Sequence, residues 1–140
     1  MAQFELVNEH VTDDLALLLK PHLLPGDVVF LQGPLGVGKT RFVKGMVRAF
    51  GFEGVVKSPT YNLLLEYPTQ PKILHADLYR VQSASGIGFE EYLDEAISFI
   101  EWPNRDPDFF ESSPIWKLDF AFSGETRIVN LTAPEGRIFP

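Results

Sequence analysis

Cysteine is missing from the 140 residues of this chain, so neither a disulfide framework nor a thiolate metal site can be built, and a reducing compartment suits it. Nowhere do 18 apolar residues run consecutively, and the opening MAQFELVNEH has no basic flank and no long apolar stretch. The sequence therefore predicts neither a membrane span nor a signal peptide, with the cytoplasm as the expected location. Positive charge is scarce: 12 Lys and Arg stand against 19 Asp and Glu, a net charge of −7, and the basic residues are scattered. Such a chain is poorly suited to grip a nucleic-acid backbone, so any nucleic-acid role is expected to run through a partner. Repeats, low-complexity tracts and internal linkers are also absent, which predicts a single domain over residues 1–140, with the tail APEGRIFP (133–140) reading as loose. What is present is an ordinary globular composition, 45% hydrophobic and 22% charged, which excludes disorder.

Short apolar runs alternate with helical patterns. QFELV reads as a strand, and Thr12 or Asp13 as the cap of a helix running to about Pro21. VVFLQ reads as a fully buried strand of the parallel kind, followed by a helix over 39–50 that Gly51 stops. YNLLLEY, KILHADLY, AISFIEW, WKLDFAF and RIVNLT are further strands, with GFEEYLDEA as a short helix between two of them. SGET supplies the turn of a terminal hairpin. The fold class is α/β.

The stretch LQGPLGVGKTRF places Gly33, Gly38, Lys39 and Thr40 in the spacing G-x-x-x-x-G-K-[ST], between an apolar strand and a helix. Glycine permits close approach of the backbone, so successive N–H groups can surround phosphate oxygens at the positive end of a helix. Lysine there supplies charge to the β and γ phosphates, and the threonine hydroxyl stands where it can ligate Mg²⁺. Proline at position 34 offers no N–H, but the cradling amides come mainly from Gly36 onward.

A metal-bound nucleotide also calls for a carboxylate at the end of another strand, and two stand there: Asp77 closes KILHAD and Glu101 closes AISFIE. At least one is expected to serve the metal. His75 reads as a packed or hydrogen-bonded core residue in preference to a ligand. In KSPTYNL, Thr60 occupies either a γ-phosphate switch or an ordinary Ser-Pro-Thr turn.

Taken in order, GPLGVGKT, SPTYNLLLEY, HADLYR and FIEW resemble the TsaE (formerly YjeE) family of bacterial ATPases, which serve threonylcarbamoyladenosine modification of tRNA; the resemblance runs from about Phe4 to Leu131. It implies a small three-layer P-loop NTPase-like domain with a central mixed, mainly parallel sheet and a C-terminal antiparallel strand pair. It implies bound ATP or ADP with Mg²⁺, and TsaB and TsaD as protein partners, with no membrane. Gly33, Pro34, Leu35, Gly36, Val37, Gly38, Lys39, Thr40 and Arg41 would surround the phosphates. Thr40 and Glu101 would bind Mg²⁺. Lys39, Asp77 and the switch residue Thr60 would act in catalysis, Asp77 near the metal and the attacking water. Trp102 would pack beside the nucleotide, and Thr12 and Arg127 would line its far side. Arg80, inside DLYR, reads either as a phosphate or partner contact or as a surface ion pair. The departure from the family lies at Pro34, where an acid is usual.

Two other classes share a phosphate loop. A small-molecule kinase needs an acceptor pocket and an arginine-rich lid, yet residues 81–100 contain no arginine or lysine. A GTPase needs a guanine-reading Asn-Lys-x-Asp, which PNRD at 103–106 is not. An interaction module that binds nucleotide with negligible turnover is the remaining alternative.

Overall fold

A computed structural model describes residues 1–59 and 63–139. Seven strands, β1 (Ala2–Leu6), β2 (Val28–Gln32), β3 (Leu64–Tyr67), β4 (Ile73–Asp77), β5 (Ile97–Glu101), β6 (Ile115–Ser123) and β7 (Thr126–Thr132), form one sheet in the order β1-β7-β6-β2-β5-β4-β3. Two α-helices, α1 (Glu9–Leu19) and α2 (Lys39–Ala49), pack on one face. The central block β6-β2-β5-β4 is parallel, and antiparallel partners flank it on both sides.

β2 is VVFLQ, whose first four residues are buried, because helices cover one face and turns the other. Val29 and Leu31 join the helix-side core, while Val28 and Phe30 join the opposite one, as the period of 2 requires. α2 faces the sheet with Phe42, Val43, Met46 and Val47 and meets the α1 stripe of Leu15, Ala16 and Leu19. The two helices approach closely at Gly45, where a β-carbon would stand 2.9 Å from the Asp13 carboxylate. Gly51 at φ +95° ends α2 as expected. β6 and β7 are joined through Gly124 at φ +62°, the two-residue hairpin that SGET implies.

Three expectations are corrected. α1 starts a turn early, capped by Asn8, whose side chain accepts the Val11 amide at 3.0 Å; Thr12 and Asp13 therefore lie inside the helix. Residues 88–96 form a 3₁₀ turn at Phe89–Glu91 followed by further turns, since Gly88 sits at φ +122° and so short a segment lacks a repeating apolar stripe. With Phe109 and Phe110, Phe89 builds an edge-to-face cluster that reaches Phe30, so the layer opposite the helices is aromatic and irregular.

The third correction concerns the tail. Asp27 is fully buried and accepts the Leu24 amide at 2.9 Å, the Trp116 indole at 3.0 Å and both terminal guanidinium nitrogens of Arg137, Nη1 at 2.7 Å. Phe139 then packs edge-on against Trp116, Phe4 and His22. The tail is thus anchored at Arg137 and Phe139, because the buried carboxylate beside β2 needs a cation and, among the described residues, Arg137 supplies it. Arg137→Ala is expected to cost about 2 kcal/mol, since it strips the charge partner from a buried acid that keeps two neutral donors. Urea unfolding measures this; an unchanged midpoint would show that the tail contributes no anchorage.

Candidate functional site

The parallel ladder sets the site. β4 and β5 run in register with Asp77 opposite Glu101, so both acids end at the same edge of the sheet, beside the loop that leaves β2. Open α/β sheets bind ligands at this carboxyl edge.

The loop is shaped by its glycines. Gly33, at φ +145°, lies so close to β6 that a β-carbon would fall 2.6 Å from the Phe120 carbonyl oxygen. Gly36 (φ +76°) and Gly38 (φ +114°) instead face open space, with no atom within 4 Å of a built β-carbon. Such a cradle fits phosphate oxygens. α2 opens directly after Gly38 with no side chain capping its first amides, which leaves the positive helix end for an anion. Val37 is buried, and its amide donates to the Pro34 carbonyl at 3.3 Å, so Pro34 serves as a turn acceptor.

Lys39 is buried to 4% exposure; its Nζ donates to the Gly33 carbonyl at 2.6 Å and stands 4.1 Å from the Trp102 ring centre. Burial holds its pKa below the usual lysine value against the raising charges of Glu101 and Asp77. The Thr40 hydroxyl donates to Glu101 Oε2 at 2.8 Å, and the same oxygen lies 2.6 Å from His75 Nε2. Burial alone would push Glu101 up, but the hydrogen bond and charge of His75, the Thr40 hydroxyl and Lys39 together hold its carboxyl below the usual range. Asp77 is shifted the other way. Burial raises it, the Glu101 charge adds to the rise, and the Tyr79 amide, 2.9 Å from Oδ1, opposes both.

Trp102 is, among the described residues, the one non-glycine residue with positive φ (57°), a strained backbone of the kind that clusters at functional sites. Its ring packs at a tilt of 56° against Tyr79, the ring centres 5.0 Å apart. Together with Leu35, Gly36, Gly38, Lys39, Thr40, Arg41, Asp77 and Glu101 it lines a cavity of 290 Å³. An adjoining 230 Å³ cavity adds Ser58, Pro59, Leu63, Tyr79 and Arg80. The larger grooves, 560 Å³ between α1 and α2, 740 Å³ beside the β3–β4 turn and 430 Å³ beyond the end of α2, include none of the loop glycines Gly33, Gly36 and Gly38.

Most of the residues singled out in the sequence converge here. Arg127 on β7 reaches the loop, its Nη2 3.4 Å from the Gly36 carbonyl. Thr12 does not converge: it is buried in α1, pairs weakly with the Asn8 carbonyl at 3.5 Å and lines neither cavity. The Arg41 guanidinium is drawn to Asp13 at 2.9 Å and Glu9 at 3.5 Å. Thr60 lies outside the described residues. Tyr79 was not foreseen, although its place two residues after Asp77 in DLYR is a usable signal. His75 is the buried, hydrogen-bonded core residue that the sequence suggests; its partner, Glu101, was not foreseen.

No group of three or more His, Asp or Glu able to hold a metal occurs among the described residues. The hard oxygens of Thr40 and Glu101 nevertheless fit Mg²⁺, which takes one or two protein oxygens and fills its octahedron with phosphates and water.

A family model described as "Threonylcarbamoyl adenosine biosynthesis protein TsaE" matches residues 6–129. The chain belongs to the TsaE family. A Haemophilus influenzae protein named "tRNA threonylcarbamoyladenosine biosynthesis protein TsaE" is 39% identical over 122 residues, covering 84% of this chain and 77% of that protein. A Rickettsia felis protein of the same name is 45% identical over 102 residues, 69% of this chain but 60% of its own length. The crystal structure of Bacillus subtilis YdiB superposes with a TM-score of 0.79 at 28% identity, over 97% of this chain and 87% of that one. The α/β fold with its mixed seven-stranded sheet is therefore shared with that structure.

The raised Asp77 has a consequence for stability in this TsaE-family chain. Its folded pKa lies above the unfolded one, so its contribution is fully present below the ordinary carboxylate pKa and is lost as pH rises through the raised value. At pH 7 the ionised group is a liability. Asp77→Asn, which stays neutral and can still accept the Tyr79 amide, should raise stability at pH 7 by about 0.5–1 kcal/mol. The gain should shrink toward zero as pH falls below about 4. Denaturant titrations at both pH values check this; an equal gain at both would refute it.

Proposed function

We propose that this chain is a Mg²⁺-dependent ATPase that supports threonylcarbamoyladenosine modification of tRNA by docking on a complex of TsaB and TsaD and coupling ATP hydrolysis to its turnover. The observation that carries the reading is the meeting of an uncapped helix end, Lys39 and two strand-end carboxylates around one cavity. The amides from Gly36 to Thr40 bind the phosphates, and Lys39 leaves the Gly33 carbonyl to meet the β and γ oxygens. Thr40 and Glu101 hold Mg²⁺, which when bound neutralises phosphate charge. Asp77 orients the attacking water with Oδ2, which takes no hydrogen bond from the described residues, and its raised pKa suits it to take a proton. Trp102 walls the nucleotide and Arg127 closes its outer side. Thr60 acts as the switch, since its neighbours Ser58, Pro59 and Leu63 line the adjoining cavity.

Adenine is favoured over guanine by the absence of a guanine-reading segment. A kinase is disfavoured because residues 81–100, where its lid would fall, lack cations; residues 81–96 instead cover the far face of the sheet and 97–100 belong to β5. The partner requirement follows from the arginines. Arg41 is held by α1, Arg48 donates to the Phe52 and Gly54 carbonyls, and Arg105 lies over Tyr79. Arg80 lines the adjoining 230 Å³ cavity, and unlike Arg41, which lines the 290 Å³ cavity, it is not tied to α1.

Lys39→Ala is expected to abolish tight ATP binding in calorimetry while the chain remains folded, because charge and helix end act together on the same phosphates. Affinity equal to that of the parent chain would remove the phosphate-loop assignment.

Turnover by the chain alone should fall well below the roughly 10 s⁻¹ of a typical enzyme. It should rise at least about tenfold with TsaB and TsaD, since charge supplied in trans can contribute about 10³–10⁵. Steady-state phosphate release, repeated with Arg80→Ala in the mixture, measures it. Rapid turnover indifferent to partners would favour an autonomous ATPase or a kinase.

A further inference from the structure

We propose that His75 is the positioning residue of the cation site, setting through Glu101 the orientation of the carboxylate that works with Thr40. This rests on the nucleotide-site reading above and names a residue which that reading leaves idle.

His75 is 1% exposed, so it meets neither bulk water nor a ligand in the cavity. Its only polar tie among the described residues is Nε2 to Glu101 Oε2 at 2.6 Å, while Nδ1 is buried without a partner. An imidazole kept for packing alone is a poor choice for such a place, because an unpaired buried nitrogen is destabilising where an apolar side chain of similar shape is not. The contact with Glu101 is what the ring is there to make.

The contact acts on a side chain that needs restraint. Phosphate-loop NTPases commonly use aspartate beside the metal. Glutamate adds a rotatable bond, and with it freedom to swing. Parallel pairing of β4 and β5 sets His75 opposite Phe99, two residues below Glu101 on the same face, so the ring stands at the root of the acid. Donation from Nε2 and from the Thr40 hydroxyl at 2.8 Å converges on Oε2. Oε1 receives no hydrogen bond from the described residues and is the oxygen left to face the cation or its water. Outer partners of this kind orient ligands around many metal sites.

The test separates positioning from packing. ADP binding is measured by calorimetry with and without Mg²⁺, and Mn²⁺ binding to the ADP complex by electron paramagnetic resonance, for the parent chain, His75→Leu and His75→Gln. His75→Leu fills the space without a donor and should weaken the divalent cation by about 10-fold or more, within the range seen for such partners. Cation-free ADP affinity should stay within a factor of about 2, a margin set by the context dependence of single-site effects. His75→Gln, whose amide can reach Oε2, should recover most of the cation affinity. Should His75→Leu fail to fold, His75→Asn, polar but too short to reach, takes its place with the same expected loss. Parent-like cation dependence in the Leu or Asn variant, or equal losses in the Gln and Leu variants, overturns the role of His75 while leaving the nucleotide site standing. A parent chain whose ADP binding ignores Mg²⁺ overturns both.

Discussion

Everything at this site depends on where the first turn of α2 is allowed to begin. β2 is clamped between β5 and β6 with its first four residues buried, so the chain emerges from the sheet at a fixed point and heading. Gly33 then passes hard against the Phe120 carbonyl, an approach that no residue with a β-carbon can make. The glycines beyond it turn the chain back into a helix whose leading amides find no cap. A helix end left this way presents unpaired amides and a positive partial charge to the cavity, which is why the proposed phosphate site falls there.

The charges around that helix end are balanced locally. Lys39, Asp77 and Glu101 sit within a small, half-enclosed space, and their shifts have opposite signs because their surroundings differ. Glu101 gathers donors and stays ionised, whereas Asp77 accepts one amide and feels its neighbour's negative charge. Two carboxylates at the ends of adjacent strands are thereby given different chemistry by what lies beneath them. With net charge −7, the chain also keeps little positive field to spare beyond the cavity.

Much of this was legible in the sequence wherever a feature is local. VVFLQ matches β2 residue for residue, Gly51 stops α2, and Asp77 and Glu101 fall at strand ends, because apolar runs and glycine act on their immediate neighbours. What escaped depends on contacts between distant residues. Arg137 finds Asp27 across 110 positions and turns an apparently loose tail into an anchored one. Arg41 follows the phosphate loop but is pulled aside by Asp13 and Glu9 on α1. Asn8 takes the cap in place of Thr12, whose side chain is buried within α1. The His75 contact was half legible: the strand face could be read, its partner on another strand could not.

The unequal covering of the sheet's two faces carries over into motion. On one side α1 and α2 are laced by their own backbone hydrogen bonds, while on the other the segment between β4 and β5 is held chiefly by aromatic edges and isolated turns. Segments with few backbone bonds open at low free energy, independently of the rest. Amide hydrogens along residues 78–96 will therefore exchange sooner than those of β2 and β5, and this irregular segment begins right after Asp77 and ends where β5 rises toward Glu101. The two acids thus stand on regular strands at either end of a stretch that has no ladder of its own.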